Sequence, residues 1–177
     1  MSTISIKELS HPAGQVIKIA SGKTLDLKSQ GTTTLPTGSV LQVVSYSVAA
    51  AQASTSSTFA DTAITLNITP SSTSSKVLVV VNVNGCYAAL GAGSGAYLAL
   101  QLMRDGVSKQ VFAGLGGYTA GAAYNGFGSC SGTLLDSPAT TSAVTYKVQM
   151  RDVSAVGTVS IGVGSSVSTI TLTEVAV

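Results

Sequence analysis

Residues 76–86 read Lys-Val-Leu-Val-Val-Val-Asn-Val-Asn-Gly-Cys, and alternate positions of such a run fall on opposite faces of a strand. Val77, Val79, Val81 and Val83 share one face, while Leu78 and Val80 hold the other until Asn82 and Asn84 take it over. β-Branched residues that are apolar on both sides suit a strand covered on both faces, so the pattern predicts a central strand. The run Thr69-Pro70-Ser71-Ser72-Thr73-Ser74-Ser75 just before it is polar and contains proline, the chemistry of a turn.

Strand patterns recur on either side. Residues 40–48 are rich in Val and Leu, and residues 63–69 set Ile64, Leu66 and Ile68 against Thr65, Asn67 and Thr69. Residues 87–95 are almost entirely Gly and Ala and read as a loop. Leu98, Leu100 and Leu102 then share a face up to Arg104, where Asp105-Gly106 signals a two-residue hairpin into residues 107–112. A second glycine-rich loop spans residues 114–121. The strand at 124–135 carries Gly126, Gly128 and Gly132, which points to bulges or close backbone approach. After a turn at Asp136-Ser137-Pro138, residues 144–150 alternate cleanly, and residues 158–163 and 168–175 complete the pattern. No apolar period of 3.6 persists for three turns. Eight or nine short strands with frequent turns predict an all-β, antiparallel two-sheet sandwich of the jelly-roll type over residues 39–177.

Residues 1–38 differ from this. Short apolar patches (Ile4 and Ile6; Val16, Ile17 and Ile19; Leu25 and Leu27) alternate with turns, and Ser21-Gly22 suggests a small hairpin. Strands this short bury too little to stand alone. The segment reads as an attachment arm or stalk, with Ile4, Ile6, Val16, Ile19, Leu25 and Leu27 as its contact residues. Residues 32–38 read as its linker to the body.

Composition sharpens the picture. Hydrophobic residues make up 45% of the 177 and charged residues only 9%, with mean hydropathy +0.44. Ordinary soluble domains carry roughly 25% charge. Surface buried against sister chains and surface covered by Ser and Thr both accommodate the deficit. The net charge of +2 comes from the first 38 residues, where four lysines face Glu8 and Asp26. No basic cluster with interleaved aromatics is present, so a nucleic-acid partner is not expected. The polar Met1-Ser2-Thr3 start is unlike a signal peptide, and no run is long enough for a membrane-spanning helix. Synthesis in the cytoplasm without membrane insertion is expected.

Candidate chemistry is sparse. His11 is the only histidine and lies beside Pro12 in the arm, so a nucleophilic triad would have to use it. The seven carboxylates are scattered, and Asp105 and Asp136 read as turn residues. A glycosidase needs two carboxylates that converge. Gly91-Ala92-Gly93-Ser94-Gly95 lacks the lysine and strand-to-helix context of a phosphate loop. No catalytic residue, metal ligand or cofactor is expected, and the chain reads as a non-enzyme. Cys86 and Cys130 have no metal-ligand spacing; buried thiols and a disulfide between adjacent strands both fit. Tyr87, Tyr97, Tyr118 and Tyr124 stand in or beside the Gly/Ala loops and are the candidate ligand-binding residues. Caps on the sandwich end, or contacts at a subunit interface, are the competing role for them.

Several pieces of the chain are similar to small tail-fibre-like virion proteins of tailed phages that infect cyanobacteria and other aquatic bacteria. They are Met1-Ser2-Thr3-Ile4, Ile68-Thr69-Pro70-Ser71-Ser72-Thr73-Ser74-Ser75-Lys76-Val77-Leu78-Val79 and Leu102-Met103-Arg104-Asp105. Also shared are Leu135-Asp136-Ser137-Pro138-Ala139-Thr140-Thr141-Ser142 with Tyr146-Lys147, and Ser168-Thr169-Ile170 leading to Glu174-Val175. The resemblance implies a structural protein that trimerises on the virion surface, with other virion proteins as partners. It carries no site residue with it. Three functions are weighed: a fibre or spike tip that binds a host-surface glycan or protein, a capsid decoration (cement) protein whose arm ties capsid subunits together, and a carbohydrate-active enzyme. A chain of 177 residues without a long repeat-rich shaft keeps the cement reading close to the first.

Overall fold

Val77, Val79, Val81 and Val83 are fully or almost fully buried, on the strand that organises the body. The computed structural model describes residues 21–22, 35–89, 95–118 and 124–177, with side chains outside 116–127. The chain divides into two units, Met1–Thr34 and Leu35–Val177. Of the first, a turn at Ser21 and Gly22 is described, with Gly22 at φ 73°. Ile4, Ile6, Val16, Ile19, Leu25 and Leu27, and the arm strands expected around them, lie outside the described residues.

The second unit contains β1 (Val40–Val48), β2 (Gln52–Ser54), β3 (Ala60–Ile68), β4 (Lys76–Ala89), β5 (Tyr97–Arg104), β6 (Val107–Tyr118), β7 (Tyr124–Asp136), β8 (Val144–Asp152), β9 (Thr158–Ile161) and β10 (Ser168–Val175). Its one described helix is a three-residue 3₁₀ turn, Val163–Ser165. One antiparallel sheet runs β1-β10-β4, with β7 on the other edge of β4. Beyond β10 the same edge of β4 takes β9, and β9 in turn takes β2. The second antiparallel sheet runs β3-β8-β5-β6. Taking β1 with β2, and β9 with β10, as interrupted strands leaves two four-stranded layers with jelly-roll connectivity. The expected two-sheet sandwich is therefore the observed one.

Of the ten strand segments the sequence pattern missed one, the three-residue β2, which pairs with β9 beyond the break that ends β1. Cross-strand hydrogen bonding also carries β4 on to Ala89 and β6 on to Tyr118, shortening both Gly/Ala loops at the strand side. Gly38 and Ser39, next to the expected boundary, are held in the ladder: the Gly38 N–H donates to the Ala176 carbonyl (2.8 Å) and the Ala176 N–H to that of Ser39 (2.9 Å).

The core is the space between the sheets. The β4 valines meet Ile170 and Leu172 from β10, Leu98, Leu100 and Leu102 from β5, and Tyr146 and Val148 from β8. Alternation along β8 and β10 is strict, as period-2 patterning requires. Within one chain β4 is covered on one face only, not on both as expected. Val80 is 41% exposed, because nothing among the described residues covers the outer side of this sheet. Its side chains occupy register rows such as Val43–Thr173–Leu78–Leu135, where Val43 and Leu135 are more than half exposed. Ser and Thr fill most of the remaining positions, and Lys76 supplies the charge.

The outer face of the other sheet is different. Lys147 pairs with Asp61, the Gln149 amide donates to Asp61 (2.6 Å), the Gln101 amide to Gln149 (2.6 Å) and the Ser108 hydroxyl to Gln101 (2.9 Å). This hydrogen-bonded line crosses all four strands.

The glycines of β7 behave as their spacing predicts. Gly128 has φ 82° at a break in register with β4, and a Cβ on Gly132 would lie 2.8 Å from the Phe112 ring. Truncation should separate the two faces of the first sheet. Leu172→Ala is expected to lower unfolding free energy by about 2–5 kcal/mol, and Val80→Thr to change it by less than about 0.5 kcal/mol, in urea denaturation.

Candidate functional site

Chain direction gives the body two unlike ends. Leu35, Ala176 and Val177 lie at the end where β4 and β8 begin, together with the connections 69–75, 105–106 and 137–143. The connections 55–59 and 153–157 lie at the opposite end, where β4 and β6 finish and β5 and β7 begin. The strand positions that flank the two Gly/Ala segments, Ala89, Tyr97, Tyr118 and Tyr124, therefore lie at the end opposite Leu35.

The four tyrosines singled out in the sequence are brought to this end, all on strands. Tyr97 is opposite Tyr118 on β5 and β6. Tyr87 is opposite Gly126 and Ser160, and Tyr124 is opposite Ala89, so this pair sits on neighbouring strands of the other sheet. Antiparallel pairing of β4 with β7 and of β5 with β6 makes the loop ends adjacent.

A buried carboxylate fixes that end. Asp152, 0% exposed, accepts hydrogen bonds from the N–H groups of Tyr97 (3.1 Å), Ser154 (3.1 Å) and Gly157 (3.0 Å) and from the Ser154 hydroxyl (2.8 Å). Its own N–H donates to Ser56 (2.8 Å), and the Val153 N–H donates to Tyr97 (2.9 Å). One side chain thus ties the 153–157 turn to the start of β5. Arg151 stacks over the Phe59 ring at 4.6 Å, adding the 55–59 connection. Gly157 fits because any Cβ there would lie 2.5 Å from the Ala89 carbonyl and Ala96.

Glu174 and Asp136 hold the other end. Glu174, also 0% exposed, accepts from the Gln42 amide (2.6 Å) and from the N–H and hydroxyl of Ser71 (both 2.7 Å). Asp136 receives Arg104, Lys109 (3.2 Å) and the Tyr146 hydroxyl (2.8 Å), joining β7 to three strands of the other sheet. It is an inter-sheet clamp, more than the turn residue its Asp-Ser-Pro context suggested. Asp105, at φ 47°, does act in its turn, accepting from the Thr145 N–H (2.8 Å). Each of these carboxylates is engaged within the body. No group of three His, Cys, Asp or Glu able to hold a metal occurs among the described residues.

A line of irregularity crosses the first sheet below the loop end. It comprises the break between β1 and β2, the segment 162–167, the bulge at Gly85 in β4, and Gly128 in β7. The Gly162 N–H donates to Asn84 (2.8 Å), and a side chain at Gly85 (φ 61°) would collide with Val163. Outside this line lies a cleft of about 440 Å³ lined by Asn84, Gly85, Gly128, Ser129, Ser166 and Val167. Its lining combines uncharged hydroxyl, amide and backbone groups with the apolar Val167. Sequence reasoning missed the cleft, although Asn84-Gly85 and Gly128-Ser129 carried its signal: glycines inside strands.

Inside the same line sit the two cysteines, neither in a disulfide. Cys86 is buried and Cys130 half-buried, and their thiols meet across β4 and β7. Contact with Cys130, together with burial, pushes the Cys86 thiol up. The hydrogen bond from Cys86 lowers Cys130 to about 7, against the opposing effect of burial.

These elements define an antiparallel two-sheet sandwich with the strand positions of four tyrosines at one end. No known family profile and no curated protein matches the chain. Among solved structures it is similar to the crystal structure of the infectious bursal disease virus VP2 subviral particle, with TM-score 0.32 and 12% identity, over 86% of this chain and 43% of that one. The chain thus spans less than half the length of that protein. No helix among the described residues is long and apolar enough to cross a membrane.

Burial pushes the Asp152, Asp136 and Glu174 carboxyls up, but the donors around each outweigh it and hold all three below their ordinary values of 3.8, 3.8 and 4.5. Their contribution is complete above those values and disappears as pH falls through the lower folded-state values. Stability is expected to drop below about pH 4. Asp152→Asn should cost about 2–3 kcal/mol at pH 7, with the gap to wild type narrowing near pH 2, as read by urea titrations at both values.

Proposed function

We propose that this chain is a non-catalytic structural protein of a tailed-phage virion: a trimeric fibre or spike tip. In this reading residues 1–38 attach it to the particle, and the tyrosine-bearing end meets a host-surface glycan or protein. The polarity of the body carries the reading. The body begins beside its C-terminal strand, while the strand positions of Tyr87, Tyr97, Tyr118 and Tyr124 lie at the far end. The sequence pieces shared with phage tail-fibre-like proteins support the virion setting. Engagement of Asp61, Asp105, Asp136, Asp152 and Glu174 within the body supports binding over catalysis.

The nearly uncharged outer face of the β1-β10-β4-β7 sheet supports trimerisation. Covering Val43, Val80 and Leu135 with a sister chain removes apolar surface from water, and Lys76 is the charge to be desolvated in those rows. In this arrangement three bodies pack through that face and leave the hydrogen-bonded line of the other sheet outward.

Native mass measurement of the full chain is expected to give three copies. The double variant Val80→Lys, Leu135→Lys is expected to give one folded copy whose melting temperature is lower than the wild type's and independent of concentration; a wild-type mass of one chain would overturn the trimer. Alanine at Tyr118 or Tyr124 is expected to weaken binding to host cells by about tenfold or more. In an image reconstruction of the virion the chain is expected on the tail. Density on the head, bridging capsid subunits, would make it a decoration protein instead, and breakdown of host polysaccharide by the purified chain would overturn the non-catalytic reading.

A further inference from the structure

We infer that Cys86 and Cys130 form an oxidisable thiol pair, which closes to an intrachain disulfide when the folded chain meets a small-molecule disulfide. The closure staples β4 to β7 at the bulge. The geometry comes from the backbone. In the ladder Cys130 is opposite Val83 and Cys86 is opposite Gly128, with breaks in register on both sides of Cys86. The extra residue, Gly85 at φ 61°, restores Cys86 to the core-facing side that Val83 already occupies. Without that bulge, Cys86 would face away from the row holding Val81 and Val83, and the two sulfurs would lie on opposite sides of the sheet. With it, both side chains face the core from neighbouring strands, Cys130 directly opposite Val83, whose carbonyl accepts the Cys86 thiol (3.4 Å).

The two thiols are unequal, which sets the order of events. Cys130 is half-buried and beside Ser129, whereas Cys86 is 2% exposed. Cys130 is therefore the attacking group, and its pKa of about 7 supplies thiolate at neutral pH. Its thiolate attacks one sulfur of the disulfide RSSR, forming Cys130–S–S–R and releasing RS⁻, which takes up a proton. Cys86 then gives its proton to solvent, attacks the Cys130 sulfur and displaces the second RS⁻. Two protein S–H groups are oxidised and RSSR is reduced to two RSH. In a reducing cytoplasm the pair stays open, and on transfer to an oxidising exterior it closes. The lock joins the central strand to its neighbour beside the cleft and the loop end.

Oxidised glutathione added to the folded full chain at pH 8 tests this, followed by alkylation, intact mass and peptide mapping. The expected result is loss of two hydrogens, no alkylation, a Cys86–Cys130 linked peptide, and a melting temperature raised by on the order of 10 °C and restored by dithiothreitol. Cys86→Ala is expected to trap one glutathione on Cys130, while Cys130→Ala leaves Cys86 unreacted. Two thiols that remain alkylatable in the wild-type chain, a glutathione adduct that persists without closing, or a linkage found only between chains would overturn the proposal. The wild-type measurement decides the matter even if either variant fails to fold.

Discussion

The body depends on one strand having every edge and one whole face occupied. β4 gives its lower edge to β10, its upper edge to β9 and its opposite edge to β7, so its backbone donors and acceptors are satisfied along nearly its full length. Its four inward valines then meet the second sheet. A strand of this kind fixes register for its neighbours, because a slip of one residue would turn Val77, Val79, Val81 and Val83 out to water. The same row explains why Glu174, opposite Val77, sits on the core side of the sheet and has to be satisfied there by Gln42 and Ser71.

Charge is scarce, and the body uses it at its ends. Asp136 with Arg104 and Lys109 closes one end between the sheets. Asp152 closes the other by gathering backbone donors that would otherwise be stranded where strands stop. Between them the core is apolar apart from hydroxyl and amide groups. The two outer faces divide accordingly. One carries the Asp61–Gln149–Gln101–Ser108 line and holds its own polar groups together, and the other is smooth and almost uncharged. That asymmetry is the physical basis for expecting sister chains on one side only.

The bulge line links these layers to the remaining chemistry. Where β4 gains Gly85, the partner rows break as well, so the sheet bends, a shallow cleft opens outside, and the two cysteines come to the same side inside. The cleft and the cysteine pair are two sides of one irregularity.

Much of this was written in local pattern. Alternation at residues 63–69 and 144–150, the Asp105-Gly106 hairpin and the valine run specify strands and turns because side-chain direction in a strand is a property of adjacent residues. The sequence by itself determined an all-β sandwich with a central strand, and it marked Tyr87, Tyr97, Tyr118 and Tyr124 as companions of the Gly/Ala segments. Tertiary structure alone decided which face of β4 stays open, that Asp136 bridges sheets, that Asp152 anchors the tyrosine end, and that Cys86 meets Cys130. Each of these joins residues tens of positions apart, and such pairs are chosen by strand order and register, which no local period encodes.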